Sequence, residues 1–140
     1  MKRKHKKRTK KLQKLNRLHD IVWNFMSRYV RLRDFERGCI TCGKKVSYNE
    51  FQAGHFVHVN SLDYDEKNIN GQCSGCNCYK HGDLGQYAVN LDRKWGIFTA
   101  DSLLAKRHII KKFNREELET IKQDLINKIA LIMSGKVSER

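Results

Sequence analysis

Cys39-Ile40-Thr41-Cys42 and Cys73-Ser74-Gly75-Cys76 are two C-x2-C knuckles with 30 residues between them, and their reading decides the fold. Each knuckle offers two thiolates at a spacing that one tetrahedral ion can bridge, so two knuckles complete a closed site of four sulfur ligands. Gly43 and Gly75 leave the backbone free to curl its amides around sulfur. The expected occupant is structural Zn²⁺. The competing readings are four reduced, buried thiols or a redox pair, although neither knuckle sits in the strand-helix-strand pattern of a redox motif. Cys78 is the odd fifth cysteine, a free thiol or a ligand exchanging with Cys76. Five cysteines in two close clusters suit a reducing compartment better than a disulfide framework.

Outward from the knuckles, residues 39–82 are crowded with Cys, Gly, Asn and His and lose all helical period. Short β-compatible pieces around Phe51 and at Phe56–Val59 predict two strands, Asn60 to Asn70 a polar loop, and the chain turns helical near Cys76. On the N-terminal side, Leu12, Leu15, Leu18, Val22, Phe25, Met26, Tyr29 and Val30 recur in steps of three and four. They predict an amphipathic helix from about Thr9 that Gly38 ends. On the C-terminal side, Asp83 is read as the cap of a helix carrying Leu84, Tyr87, Ala88, Leu91 and Trp95, closed by Gly96. Asp101 is read as the cap of another running through Phe113. Asn114-Arg115-Glu116-Glu117 forms a capping box ahead of the stripe Leu118, Ile121, Leu125, Ile129 and Ile132. The chain has no proline to break these helices. The expected fold is α+β and mainly helical, with a zinc-stabilised centre flanked by long helices. Its divisions are a basic arm over 1–17, a helix over 9–37, a core over 38–96 and C-terminal helices over 97–140.

Charge sets the partner class. Lys and Arg number 29 against 15 Asp and Glu, a net charge of +14, which points to a polyanion and above all to nucleic acid. Ten of the first 17 residues are basic and none is acidic, so self-repulsion is expected to leave the start of this arm disordered. Lys6, Lys7, Arg8, Lys10 and Lys11 are candidate phosphate contacts, and Arg31 could continue the track. No apolar run approaches the roughly 18 residues of a bilayer span. The basic arm also has no apolar core of a secretion signal. No membrane partner is expected, and the location is expected to be cytoplasmic.

Between and just after the knuckles stand Gln52-Ala53-Gly54-His55-Phe56, Glu66-Lys67-Asn68-Ile69, Gln72-Cys73, Cys76-Asn77 and Lys80-His81-Gly82, with Asp83-Leu84 and Tyr87 beyond. In this order they resemble the HNH (His-Me finger), or ββα-metal, endonuclease pattern. The layout is similar to the phage recombination endonuclease VII group, and residues 39–96 resemble the NinG (Rap) family of lambdoid phages more closely. A weaker similarity continues to about residue 130.

The resemblance implies a ββα-metal core and a metal-dependent endonuclease acting on DNA, branched DNA such as a Holliday junction included, in the cytoplasm of an infected bacterium. It implies His55 as the general base, since imidazole titrates near pH 6.5, about where proton abstraction at neutral pH is efficient. Without it, a histidine between Gly54 and Phe56 reads as structural. It makes Asn77 an oxygen ligand for catalytic Mg²⁺ or Mn²⁺, against the alternative of a helix cap. His81, four residues on, would share a helical face with Asn77 as a second ligand, or face phosphate. Asn68 would hold the loop that bears the base, or be an ordinary turn residue. Lys80 is a phosphate contact. Many HNH members carry a metal-binding Asp or His just before the base, where this chain has Gly54, so His58, Asp63 or Asp65 are candidates to complete the shell. A homodimer through the long terminal helices would match a two-fold junction. The competing readings are a non-catalytic zinc module that binds nucleic acid and a general HNH nicking enzyme.

Overall fold

The computed structural model describes residues 2–135, with side chains from residue 8 onward. The first element, α1 (Lys2–Asp34), starts at Lys2 rather than near Thr9. Lysine and arginine are good helix formers, so the helix extends ahead of its apolar stripe, and the arm expected to be disordered at its start is helical there. At the other end α1 stops at Asp34, not at 37. The Asp34 carboxylate turns inward and accepts from Arg33 Nε, Lys94 Nζ and the Gly71 amide, each at 2.8 Å. Gly38, with φ of +81°, closes the turn that follows, donating its N–H to the Asp34 carbonyl at 3.1 Å.

The small sheet is β1 (Phe51–His55) paired antiparallel with β2 (Ile69–Cys73), in the register Phe51↔Cys73 and His55↔Ile69. The second strand thus lies ten residues beyond the expected Phe56–Val59 piece. Phe56 and Val57 are buried instead in a cluster with Leu62, Tyr87, Leu91, Ala100 and Leu103, which draws them out of the ladder. Ile69-Asn70-Gly71-Gln72-Cys73 has no β alternation because all five residues are buried, the polar ones among hydrogen-bond partners. Between the strands, Asn60–Leu62 forms a 3₁₀ turn within the stretch read as loop.

After β2 the chain makes one π-helical turn, Gly75–Tyr79, and then α2 (Leu84–Trp95), α3 (Thr99–Ala105) and α4 (Arg115–Met133). Asp83 stands at the N-cap position of α2 as expected, but in a left-handed conformation, and its side chain makes no capping hydrogen bond; only its carbonyl accepts, from the Tyr87 amide at 3.0 Å. Gly96 closes α2. The helix expected from Asp101 to Phe113 ends at Ala105. Lys106 and Arg107 add like charge there, and Ile109 and Ile110 find no apolar surface to cover them. The capping box at Asn114 and Glu117 is formed as read.

The main core joins Leu18, Val22, Met26 and Val30 of α1 to Leu118, Leu125 and Ile129 of α4, with Ile69 of the hairpin beneath them. The α4 stripe is therefore used within the chain, and pairing of two copies would need another surface. Among the described residues no helix is long and apolar enough to cross a membrane.

Candidate functional site

The two knuckles meet. The Sγ atoms of Cys39, Cys42, Cys73 and Cys76 all lie within 4.8 Å of one another, with Cys42 and Cys73 3.8 Å apart. A tetrahedral ion with metal–sulfur bonds of about 2.3 Å separates its sulfurs by about 3.8 Å, so the cluster has the size of one zinc site. The backbone curls as such a site needs: Gly43 donates to the Cys39 carbonyl at 2.8 Å and Gly82 to the Cys76 carbonyl at 2.8 Å. Burial pushes the Cys39 and Cys76 thiols up. Four thiolates in one pocket need a dication between them. The four residues could hold a metal ion such as zinc. Cys78 stands outside the cluster, exposed, with its Sγ 3.2 Å from Gln52 Oε1.

The hairpin carries the histidine. His55 ends β1, and its Nε2 lies 3.1 Å from Asp63 Oδ1. Trp23 of α1 stacks on one side of the ring at 4.8 Å and 18°, and His58 stacks at 5.1 Å and 29°. Burial and the neighbouring His55 hold the His58 imidazole below its usual range. Asn68 is fully buried. Its Oδ1 accepts from the Val57 amide at 2.8 Å, and its Nδ2 donates to the Val57 and Leu62 carbonyls at 2.9 and 3.2 Å. One side chain thus ties down the loop between His55 and Asp63. Asp65 faces its own turn, accepting from the Lys67 and Asn68 amides at 2.9 and 3.2 Å.

On the Gly54 side of β1 the space is full. A Cβ added at Gly54 would lie 1.9 Å from Gln72 Oε1 and 3.0 Å from Asn77 Oδ1, so two amide oxygens converge where a larger residue would project. Gln72 is fully buried, with Nε2 donating to Thr41 Oγ1 at 2.7 Å and the Gly82 carbonyl at 3.0 Å. Its Oε1 is buried without a hydrogen-bond partner among the described residues. Asn77 Nδ2 donates to Gln52 Oε1 at 2.8 Å, leaving Oδ1 toward Gly54. Behind β1, the Tyr87 hydroxyl donates to the Gly54 carbonyl at 2.7 Å and receives Asn70 Nδ2 at 3.2 Å.

His81 is not on a helical face with Asn77. The π turn ends at Tyr79, and His81 lies beyond it, exposed, with φ of +50°. The geometry of i and i+4 holds only along a continuing helix, which the turn to Gly82 prevents. Lys80 is exposed beside it. Arg8, Lys10 and Lys11 are exposed on α1, and the side chains of Lys6 and Lys7 lie outside the described residues. Arg31 is half-buried, over the Tyr48 ring at 4.7 Å.

The sequence reading missed Trp23, the role of Gln72, and the contact of Asp63 with His55. Trp23 packs against the main core beside Val22 and Met26, so no local signal marks it as the residue that also stacks on His55.

A family model described as "Bacteriophage Lambda NinG protein" matches residues 1–134. The chain is similar to Protein ninG of Salmonella phage P22, 35% identical over 106 residues that cover 72% of this chain and 50% of the relative. Protein ninG of Escherichia phage lambda is 32% identical over 104 residues, covering 72% and 50%. Protein ninG of Escherichia phage 933W is 34% identical over 97 residues, covering 67% and 47%. The chain spans about half the length of these curated relatives. No solved structure matches it.

Proposed function

The chain belongs to the NinG family of bacteriophage lambda and its relatives, and from that premise we propose that it is a metal-dependent endonuclease of HNH type that hydrolyses phosphodiester bonds in DNA, branched recombination intermediates above all. The observation that carries the reading is His55 at the end of a two-stranded hairpin, its Nε2 3.1 Å from Asp63, on the strand whose neighbouring residue meets the Asn77 and Gln72 amide oxygens.

In this reading Asp63 accepts the Nε2 proton of His55, which leaves Nδ1 unprotonated and able to take a proton from water. Trp23 and His58 restrict the ring by stacking, and Asn68 holds the loop that presents Asp63. Orientation fixed before substrate arrives lowers the entropic cost of reaching attack geometry. Asn77, with Gln72 beside it, would hold Mg²⁺ or Mn²⁺ through its amide oxygen, and such a cation stabilises charge developing on the phosphate. The cysteine frame is the scaffold: β2 ends in Cys73, and the turn after it supplies both Cys76 and Asn77. The exposed cations of α1 supply affinity for the backbone without base selectivity.

A second reading, a zinc-containing nucleic-acid-binding module without catalysis, is favoured by one observation. The groups nearest Gly54 are neutral amides, whereas Mg²⁺ usually takes at least one carboxylate. Incubating a labelled four-way junction and its matched linear duplex with Mg²⁺, Mn²⁺ or EDTA separates the readings. Metal-dependent cutting lost in His55→Ala supports the nuclease, and preference for the junction supports branch selectivity. Equal cutting of both substrates indicates a general nicking enzyme. Binding without cutting under every divalent ion overturns catalysis in favour of the module.

A further inference from the structure

The segment between α3 and α4 sets exposed apolar residues among basic ones. From Ser102 to Arg115 there is no acidic residue, while Lys106, Arg107, Lys111, Lys112 and Arg115 are basic. At its centre Ile109 is 53% and Ile110 90% exposed. Adjacent bulky apolar residues in water are unfavourable.

The segment is nevertheless held. The Ile109 amide donates to the Lys106 carbonyl at 3.0 Å, and Arg107 Nη1 donates to the Leu104 carbonyl at 2.8 Å, so the entry is a closed turn. At the exit, Phe113 packs edge-on against Tyr64 at 5.2 Å and His19 at 6.1 Å, while Lys111 lies over its ring at 5.2 Å. Lys111 also pairs at 3.5 Å with Glu117. The anchor is next to the candidate base: Tyr64 follows Asp63, the partner of His55, and His19 lies one turn of α1 before Trp23, which stacks on His55.

We infer that Ile109 and Ile110 form an apolar wedge that enters DNA where base stacking is interrupted, with Lys106, Arg107 and Lys112 gripping the phosphates on either side. This rests on the nucleic-acid side of the function proposed above, and it adds the element that would favour a branch over a continuous duplex. The charge selects a polyanion, and a chain of net charge +14 repels a second copy of itself. Base faces are apolar surfaces framed by phosphates, and side chains such as isoleucine wedge between base steps in proteins that kink DNA. In a regular duplex the wedge must unstack a step. At a branch point or nick that cost is largely absent, so the apolar pair contributes differently to the two substrates.

Binding in EDTA tests this separately from cleavage. The 140-residue chain would be titrated by fluorescence anisotropy onto a four-way junction with 2-aminopurine at the branch and onto its linear duplex. The Ile109→Ser/Ile110→Ser variant is expected to bind the junction about ten-fold more weakly, bind linear DNA as the parent does, and lose the 2-aminopurine rise that marks unstacking. The Lys106→Ala/Lys112→Ala variant is expected to weaken both substrates and reduce the slope of log affinity against log salt by about 2. Equal effects of the isoleucine variant on both substrates, or none on either, would overturn the wedge. So would loss of binding to phosphatidylglycerol vesicles with DNA binding unchanged, which would assign the segment to a lipid surface. A parent that unstacks the junction but never cuts it in Mg²⁺ would keep the wedge and remove the nuclease.

Discussion

The α1–α4 pair and the hairpin with its knuckles are built on opposite principles. The first buries Leu18, Val22, Met26, Val30, Leu118, Leu125 and Ile129 against one another, a core of aliphatic contact with almost no polar atom in it. The second buries Thr41, Asn68, Asn70 and Gln72 at 3% exposure or less beside three buried cysteines. Non-directional burial tolerates small shifts, whereas hydrogen bonds and metal–sulfur bonds hold atoms at set distances. The candidate catalytic groups sit on the directional half. A base must be placed within a few tenths of an ångström, and a hydrogen-bonded polar side chain such as Asn68 does that better than aliphatic packing.

The contrast is broken most deeply at the cysteine frame, by withholding the metal ion that its four cysteines could hold. Structural zinc contributes on the order of 10 kcal/mol to the folding of small zinc domains. Chelation, or Cys39→Ser, is therefore expected to unfold residues 39–82 while the α1–α4 pair keeps part of its helicity. Amide hydrogen exchange by mass spectrometry would localise the loss. Uniform exchange along the whole chain would show instead that the two halves fold as one unit.

Asp34 is the joint between the halves, and Asp34→Ala carries the next largest effect. Its carboxylate binds Arg33 and Lys94 and takes the Gly71 amide. Asn70 Oδ1 joins the same network through Lys94 at 2.8 Å and Trp95 at 3.1 Å. Removing the anion leaves two buried cations facing each other, a loss of about 3–5 kcal/mol. Burial pulls the Lys94 ammonium down to about 8 even beside Asp34, so without the carboxylate Lys94 sheds its proton near neutral pH and relieves part of that loss. Urea denaturation at fixed zinc would measure the change. A loss below about 1 kcal/mol would mean water replaces the carboxylate and the joint is not dry.

On the aliphatic side, Leu125→Ala is expected to cost about 3 kcal/mol through lost transfer energy and a cavity. The comparison predicts that it lowers stability without altering zinc affinity, whereas Asp34→Ala alters both. Equal changes in zinc affinity would erase the distinction.

The same division explains what the sequence made legible. The α4 stripe and the Asn114–Glu117 box were read correctly because local period and local capping are written in neighbouring residues. The four cysteines were read correctly because metal spacing is a short-range signal. β2 was misplaced because Asn70, Gly71 and Gln72 are buried through partners far along the chain, Asp34, Thr41, Tyr87 and Lys94, and no window contains them. His55 was visible only through motif order. Its Asp63 contact depends on the path of the loop that Asn68 pins, and the shared face of Asn77 and His81 failed because one π turn replaced a helix.

The gentlest probe of the joint is acid. Burial would raise the Asp34 carboxyl, but Arg33 and Lys94 outweigh it and hold it at about 2. A carboxylate lowered on folding adds stability that is complete above its unfolded value, near 4, and is lost as pH falls through the folded one. The drop from 3.8 to about 2 corresponds to about 2 kcal/mol, roughly half of it gone by pH 3. A zinc-loaded cysteine frame would also release its ion in acid, so the parent curve alone would mix two effects. Asp34→Asn separates them: it keeps the shape, lacks the titration, and shares the zinc loss. The stability gap between parent and Asp34→Asn should therefore narrow steadily from pH 5 to pH 3. A constant gap would mean that Asp34 contributes through its hydrogen bonds alone, and that the joint holds the two halves together by shape rather than by charge.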